Sequence, residues 1–372
     1  MQESSSNPAI DPARPVRAGE ELDLDRLAPY LRRHLEAGDD APLAVDQFPS
    51  GYSNLTYLLR LGAQELVLRR PPFGNRVKSA HDMGREFRVL SALEAVYPAA
   101  PRPLLYCDDE DVLGAPFYIM ERRRGVILRQ TLPPGVELPP VLAGRLCEAF
   151  VDQLAALHSI DAEAAGLGDL GRPDGYVERQ VRGWIGRYEK AQTDAWPELD
   201  ASAAWLIDRL PAVVEASGGV PATLVHNDFK YDNLVLDPND LTRIVAVLDW
   251  EMATLGDPRM DLGTTLAYWV EAADPGPLRA AAFGPTAIAG SLGRETLAGR
   301  WSERTGIPLD EPVFFYVFGL YKLAVIVQQI FYRFAHGHTR DQRFGGLDQM
   351  VGLLGKVAAA AIERGRLSPP IA

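Results

Sequence analysis

The chain has 372 residues, enough for two lobes with a core each, and its 47% hydrophobic and 24% charged content is ordinary for a globular protein. A net charge of −12 gives nucleic-acid binding no global electrostatic support, and no uncharged apolar run reaches the roughly 18 residues of a membrane span. Two cysteines, Cys107 and Cys147, make neither a disulfide framework nor metal-ligand spacing; they read as buried thiols, which fits a cytoplasmic protein.

The first 21 residues are polar, Pro-containing and without an apolar core, so they read as a disordered tail and not a signal peptide. LDLDRLAPYLRRHLEAG (22–38) carries leucines at helical spacing and ends at a glycine. Strand-like runs follow at 43–48, 54–61 and 65–70, the last two joined by a tight Gly62–Ala63 hairpin. Residues 80–96 form an amphipathic helix with Met83, Phe87, Leu90 and Leu93 on one face. RPLLYC and APFYIME (115–121) are two more short strands. This β-β-β-α-β-β order predicts a small antiparallel sheet with one helix, spanning 22–121. The second lobe is 122–372, and from 139 onward the pattern is mostly helical apart from the strand-rich 222–250, with helices expected at 141–159, 175–190, 202–216, 259–272, 294–305, 311–335 and 346–364. Residues 275–291 read as a mobile connection. The class is α+β: a strand-rich N-terminal lobe and a helical C-terminal lobe, with a cleft expected between them.

The informative stretch is HNDFKYDN (226–233), followed by LDWE (248–251) after a buried-strand run. A carboxylate, an amide and a second carboxylate on a strand-loop-strand frame suit phosphoryl transfer. Asp228 orients a hydroxyl and accepts its proton, while Asn233 and Asp249 hold Mg²⁺ against ATP phosphates. Asp and Asn bonding their own turn backbone is the alternative. Lys230 lies on the side of Asp228 and neutralises the moving phosphoryl group, or is a solvated lysine. His226 braces the loop through backbone hydrogen bonds. Asp261 caps a helix start or braces the same loop, a structural role. Arg69 at a strand end and Glu86 in the helix pair to aim a cation at the α- and β-phosphates, or form an ordinary ion pair. Ser50, Gly51, Ser53 and Asn54 form a turn whose backbone N–H groups cap phosphates, or a plain turn. Arg179, Arg182, Trp184 and Tyr188 make a basic, aromatic helix suited to an anionic acyl substrate, or a solvated helix paired with Glu178 and Glu189.

These residues together resemble the aminoglycoside phosphotransferase-like superfamily of small-molecule kinases, whose fold is the bilobal protein-kinase-like one. The likeness covers roughly residues 40–350. HNDFKYDN and LDWE match its catalytic and metal positions, REFRVLSAL its helix glutamate Glu86, and VLRRPP its β3 cation, here Arg69 where many kinases have lysine. APFYIMERRRG looks like the hinge, with backbone near Met120 and Glu121 meeting adenine. GRPDGYVERQVRGWIGRYEKAQT (171–193), AVLDWEMATLGDP and LRRPPFG are similar to the phosphotransferase domains fused to, or encoded beside, acyl-CoA dehydrogenases. That resemblance implies ATP- and Mg²⁺-dependent phosphorylation of a hydroxyl on a small molecule, a hydroxyacyl-CoA or related hydroxy acid, by a stand-alone version of the domain. The alternatives are an aminoglycoside kinase and a non-catalytic nucleotide-binding protein. The absence of an APE-like motif after Asp249 argues against a peptide-docking protein kinase.

Overall fold

The computed structural model of the protein describes residues 10–35, 37–49, 54–73, 82–339 and 341–370. The chain forms two compact units, one of Met1–Ile127, Pro133–Val136 and Leu234–Ala253, the other of Leu128–Leu132, Glu137–Asn233 and Thr254–Ala372. The sequence places the boundary at 121; the contacts also return residues 234–253 to the first unit.

The first unit carries an antiparallel sheet of β1 (Leu43–Gln47), β2 (Leu55–Leu61), β3 (Gln64–Arg70), β4 (Pro103–Cys107) and β5 (Phe117–Glu121), in the order β1-β2-β3-β5-β4. Leu61 pairs with Gln64 across the two-residue turn, where Gly62 takes φ 58, the left-handed conformation such a hairpin turn needs. Strand alternation puts Leu66 and Leu68 into one apolar cluster with Leu27 and Leu31 of α1 (Leu24–His34), and leaves Arg69 on the opposite face. That face meets α2 (Met83–Leu93), where Glu86 is buried beside Met83, Val89, Leu90 and Leu93. Phe87, expected on the buried face, is half-buried and sits 5.6 Å from the Tyr106 ring. A one-turn helix, α3 (Glu110–Leu113), joins β4 to β5 and was not expected. Residues 10–21 correct the expectation of a disordered tail for the part described. Arg14 exchanges backbone hydrogen bonds with Gln47, and the Tyr57 hydroxyl donates to the Glu20 carbonyl. The reason is that β1 is an edge strand and offers unpaired groups to a passing chain.

The second unit opens with α4 (Pro140–His158), α5 (Tyr176–Ala191), α6 (Pro197–Ser217) and β6 (Thr223–Val225). The hairpin β7 (Leu234–Asp237) and β8 (Asp240–Val247) belongs to the first unit. The second unit resumes with β9 (Thr254–Gly256), which pairs antiparallel with β6, and continues through α7 (Pro258–Tyr268), α8 (Gly276–Ala280), α9 (Arg294–Thr305), α10 (Pro312–Ala335) and α11 (Leu347–Arg364). α10 packs against α5, α6, α7 and α11. Among the described residues it alone is long and apolar enough to cross a membrane, but 78% of its apolar stretch is buried in the protein, as in a core helix.

α7 and α10 cross at two glycines. A Cβ on Gly263 would overlap the Phe315 carbonyl, and one on Gly319 the Gly263 carbonyl, so both obstacles are backbone. Gly319→Ala is therefore expected to destabilise the protein by about 1–3 kcal/mol despite alanine's better helix propensity. Urea denaturation midpoints check this.

Candidate active site

Strand β6 delivers its chain into His226, Asn227 and Asp228, and a single 3₁₀ turn, Tyr231–Asn233, closes the loop. Asn227 adopts φ 67, a left-handed conformation that asparagine tolerates better than most residues. The loop brings two donors to one carboxylate. Lys230 Nζ lies 2.9 and 2.8 Å from the two Asp228 oxygens, and Asn233 Nδ2 donates to the Asp228 side chain and carbonyl, both at 2.8 Å. Tyr268, at the end of α7, also favours the charged carboxylate. Burial alone would raise the Asp228 pKa; Lys230, His226 and Tyr268 outweigh it and hold the carboxyl below the usual range. Asp228 is thus an ionised acceptor and a weak base, suited to orienting a hydroxyl more than stripping it. With Nδ2 of Asn233 committed to Asp228, its amide oxygen is the group left to face a cation. Lys230 also lies over the rings of Tyr268 (4.9 Å) and Phe283 (5.5 Å), aromatic faces that favour a cation.

Asp261 fixes the loop from behind. It is fully buried in the first turn of α7 and accepts from the His226 amide (2.6 Å), the Asn227 amide (2.8 Å) and His158 Nε2 (3.1 Å). Burial opposes its charge, but His158 and His226 keep its pKa below the ordinary value. His158 in turn accepts from Trp301 Nε1 at Nδ1, which leaves Nε2 as the donor to Asp261. His226 accepts the Asp228 amide at Nδ1 (3.3 Å).

The first unit holds a second charged set. Arg69, 7% exposed, lies 3.5 Å from Glu86, 3.0 Å from Asp249 and 3.9 Å from Glu251. Asn54 Nδ2 donates to Glu251 at 2.8 Å, and the Trp250 amide donates to Glu86 at 3.2 Å. Asp249, like Asn227, sits at φ 67. Burial works against the Arg69 charge, yet Glu86 and Asp249 push its pKa up; burial pushes that of Glu86 up. Three carboxylates against one guanidinium leave negative charge that a divalent cation would balance, and Asp249 supplies the hard oxygen Mg²⁺ prefers. Among the described residues no group of three or more His, Cys, Asp or Glu forms a preformed metal cage. Arg69→Ala is expected to cost about 3 kcal/mol or more in denaturant stability, because Glu86 would stay buried without its cation. Arg69→Lys is expected to cost less.

The sequence matches the model of the phosphotransferase enzyme family, APH, over residues 44–296. The chain belongs to this phosphotransferase family. It is 36% identical over 342 residues to acyl-CoA dehydrogenase family member 11 of Rattus norvegicus, covering 86% of this chain and 41% of that protein. It spans only 30% to 41% of the length of the first curated relatives it matches. Among solved structures it is similar to a Ralstonia eutropha JMP134 protein provisionally named an aminoglycoside phosphotransferase. The two are 30% identical with a TM-score of 0.73, covering 91% of this chain and 99% of that one. The GDP and kanamycin complex of APH(2")-IIIa shares the fold at 14% identity, with a TM-score of 0.57 over 89% of this chain and 97% of that one. The bilobal kinase-like α+β architecture read from the sequence is the fold of this family.

Within the APH-family chain, the residues singled out from sequence fall as follows. Asp228, Lys230, Asn233, His226 and Asp261 meet in the second unit; Arg69, Glu86, Asp249 and Asn54 meet in the first. Ser50, Gly51 and Ser53 lie outside the described residues. Met120 is buried in β5, and Glu121 takes the Arg102 amide on its side chain (2.7 Å) and donates its own amide to the Arg102 carbonyl (2.9 Å). On α5, Arg179 donates to the Asp174 and Arg172 carbonyls, and Arg182 pairs with Glu178 (2.9 Å) on the exposed surface. Trp184 and Tyr188 are buried; Arg187 stacks on Trp184 at 4.5 Å, and Tyr188 meets Tyr321. The connection at 275–291 contains α8 and sets Phe283 edge-on to Tyr268 at 5.1 Å. Sequence reasoning missed Tyr176, Glu251, Tyr268 and Lys322. Only Lys322 carried a signal, as the one charged residue between Val313 and Tyr332.

Proposed function

We propose that this phosphotransferase moves the γ-phosphoryl group of ATP to a hydroxyl of a small molecule, a hydroxyacyl-CoA or related hydroxy acid. The observation that carries the reading is Asp228, held by Lys230 and Asn233 on a loop inside the region matched by the phosphotransferase family. In this reading Asp228 accepts the hydroxyl proton as the new O–P bond forms and the β–γ bridge breaks, with ADP leaving. Lys230 lets go of the carboxylate to meet the transferring phosphoryl charge. Asn233 and Asp249 would hold Mg²⁺, which would supply screening of the phosphate charge. Arg69, oriented by Glu86, faces the α- and β-phosphates, residues Ser50, Gly51, Ser53 and Asn54 cap them, and backbone near Met120 and Glu121 receives adenine. Residues 22–121 act as the nucleotide-binding lobe and 122–372 as the catalytic and substrate-binding lobe.

The likeness to domains of acyl-CoA dehydrogenase family members supports an acyl acceptor. The likeness to aminoglycoside phosphotransferase structures favours a second reading, an antibiotic kinase. Lys230, the cation against Asp228, fits an anionic acceptor better than a polycation. The test is a phosphate-transfer screen with hydroxyacyl-CoAs, aminoglycosides, choline-like amines and sugars side by side. Stimulation of ATP turnover by hydroxyacyl-CoAs is expected; turnover with aminoglycosides alone would replace this reading with the second.

A further inference from the structure

Asn227 and Asp228 share one peptide plane, and the structure holds it at both ends. The N–H end, on Asp228, donates to His226 Nδ1 at 3.3 Å. The C=O end, on Asn227, accepts from Lys322 Nζ at 2.9 Å, from a residue 95 positions away on α10. A peptide is planar, so fixing both ends fixes the rotation of the whole unit and the direction in which Asp228 leaves it. Two more polar groups of Asn227 are also held: its amide donates to Asp261, and its side-chain oxygen accepts from the Tyr176 hydroxyl at 3.3 Å. The left-handed Asn227 is thus held through its amide, its carbonyl and its side-chain oxygen.

We propose that Lys322 is a positioning residue for phosphoryl transfer, aiming the Asp228 carboxylate by gripping the peptide carbonyl before it. This rests on the kinase reading above. The choice of a lysine is the telling point. Lys322 is 2% exposed on an otherwise aromatic and aliphatic stretch of α10, where an ammonium is expensive to bury. A neutral donor would satisfy one carbonyl at less cost. The ammonium adds a stronger, charge-assisted bond. The charged groups around it are Asp261 on α7, Asp228 and Lys230 on the loop, and Arg187 on α5. The Trp184 ring lies 5.8 Å from its nitrogen. Burial is the main reason its pKa falls to about 8. It is therefore charged below that pH and loses its charge above it.

The test compares Lys322→Met and Lys322→Gln with the wild-type chain. In Lys322→Met, kcat with the best acceptor is expected to fall about 10- to 100-fold while KM for ATP stays within about twofold, because aim is lost and nucleotide contacts are not. Lys322→Gln, which keeps a neutral donor, is expected to recover part of that loss. The wild-type kcat should decline as pH rises through about 8, and the Gln variant should lack that limb. Hydrogen exchange in the 226–233 peptide should quicken about tenfold in Lys322→Met. Unchanged kcat and unchanged exchange in a folded variant would overturn the proposal, as would an alkaline limb retained by Lys322→Gln. If Lys322→Met does not fold, the Gln variant's kcat, pH profile and exchange decide in the same way. If the wild-type chain phosphorylates no acceptor, the kinase reading fails by itself, and the exchange rates still judge Lys322: faster supports its hold on the loop, unchanged refutes it.

Discussion

Asp228→Asn is expected to lower kcat by about 10²- to 10⁴-fold with nucleotide affinity nearly unchanged. The substitution keeps the shape of the side chain and removes its charge. Asp228 faces the donors Lys230 Nζ, on both oxygens, and Asn233 Nδ2, on one, and Tyr268 also favours its charge. An asparagine would turn an NH₂ group toward at least one of them, displacing the lysine. The acceptor hydroxyl would lose its proton acceptor and its orienting partner together. The groups proposed to meet nucleotide phosphates, Arg69 and Glu86, lie in the other unit and keep their ion pair at 3.5 Å. Steady-state kinetics together with calorimetric titration of nucleotide would separate the two effects. A fall in affinity matching the fall in kcat would place Asp228 in binding and not in transfer.

Asp261→Ala should be the most destabilising single change in the catalytic loop's support. It leaves the buried His226 amide, the half-buried Asn227 amide and the His158 ring without their acceptor. Each stranded donor costs about 1–3 kcal/mol. The loss includes activity, since the backbone that carries Asp228 is released. The same carboxylate gives the protein an acid limit. Its folded pKa is held below the unfolded value of 3.8, so its contribution is fully present above that value. It is lost as pH falls through the lowered folded pKa. Thermal melting between pH 6 and pH 2 should show a steeper acid decline in wild type than in the alanine variant. Parallel declines would show that Asp261 is not the group responsible.

The regular elements were legible because their periodicity is strong. β1 to β5 and most of the long helices lie within a few residues of where alternation and 3.6-residue spacing put them. The exceptions have physical causes. α3 and α8 have four and five residues, too few to show a period. β9 is a strand because it finds β6, a pairing made across some thirty residues that no local pattern records. α6 begins at Pro197, where a proline suits the first helical turn, and not at 202. The linear motif 226–233 named Asp228, Lys230 and Asn233 because they are neighbours in sequence. The residues that aim them were not legible. Tyr176, Tyr268 and Lys322 reach the loop from α5, α7 and α10, and only the folded packing brings them there. The Arg69 and Glu86 pair was legible from the strand-helix order, while Glu251 as a third carboxylate on Arg69 was not.

The most direct measurement is ³¹P NMR of the wild-type chain with ATP, Mg²⁺ and a hydroxyacyl-CoA, run beside Asp228→Asn. A new phosphate-ester resonance that grows with the ADP signals in wild type and stays absent in the variant is the predicted result. ATP bound without any ester formed on an alcohol acceptor, or an ester formed equally fast by Asp228→Asn, would contradict phosphoryl transfer at this carboxylate.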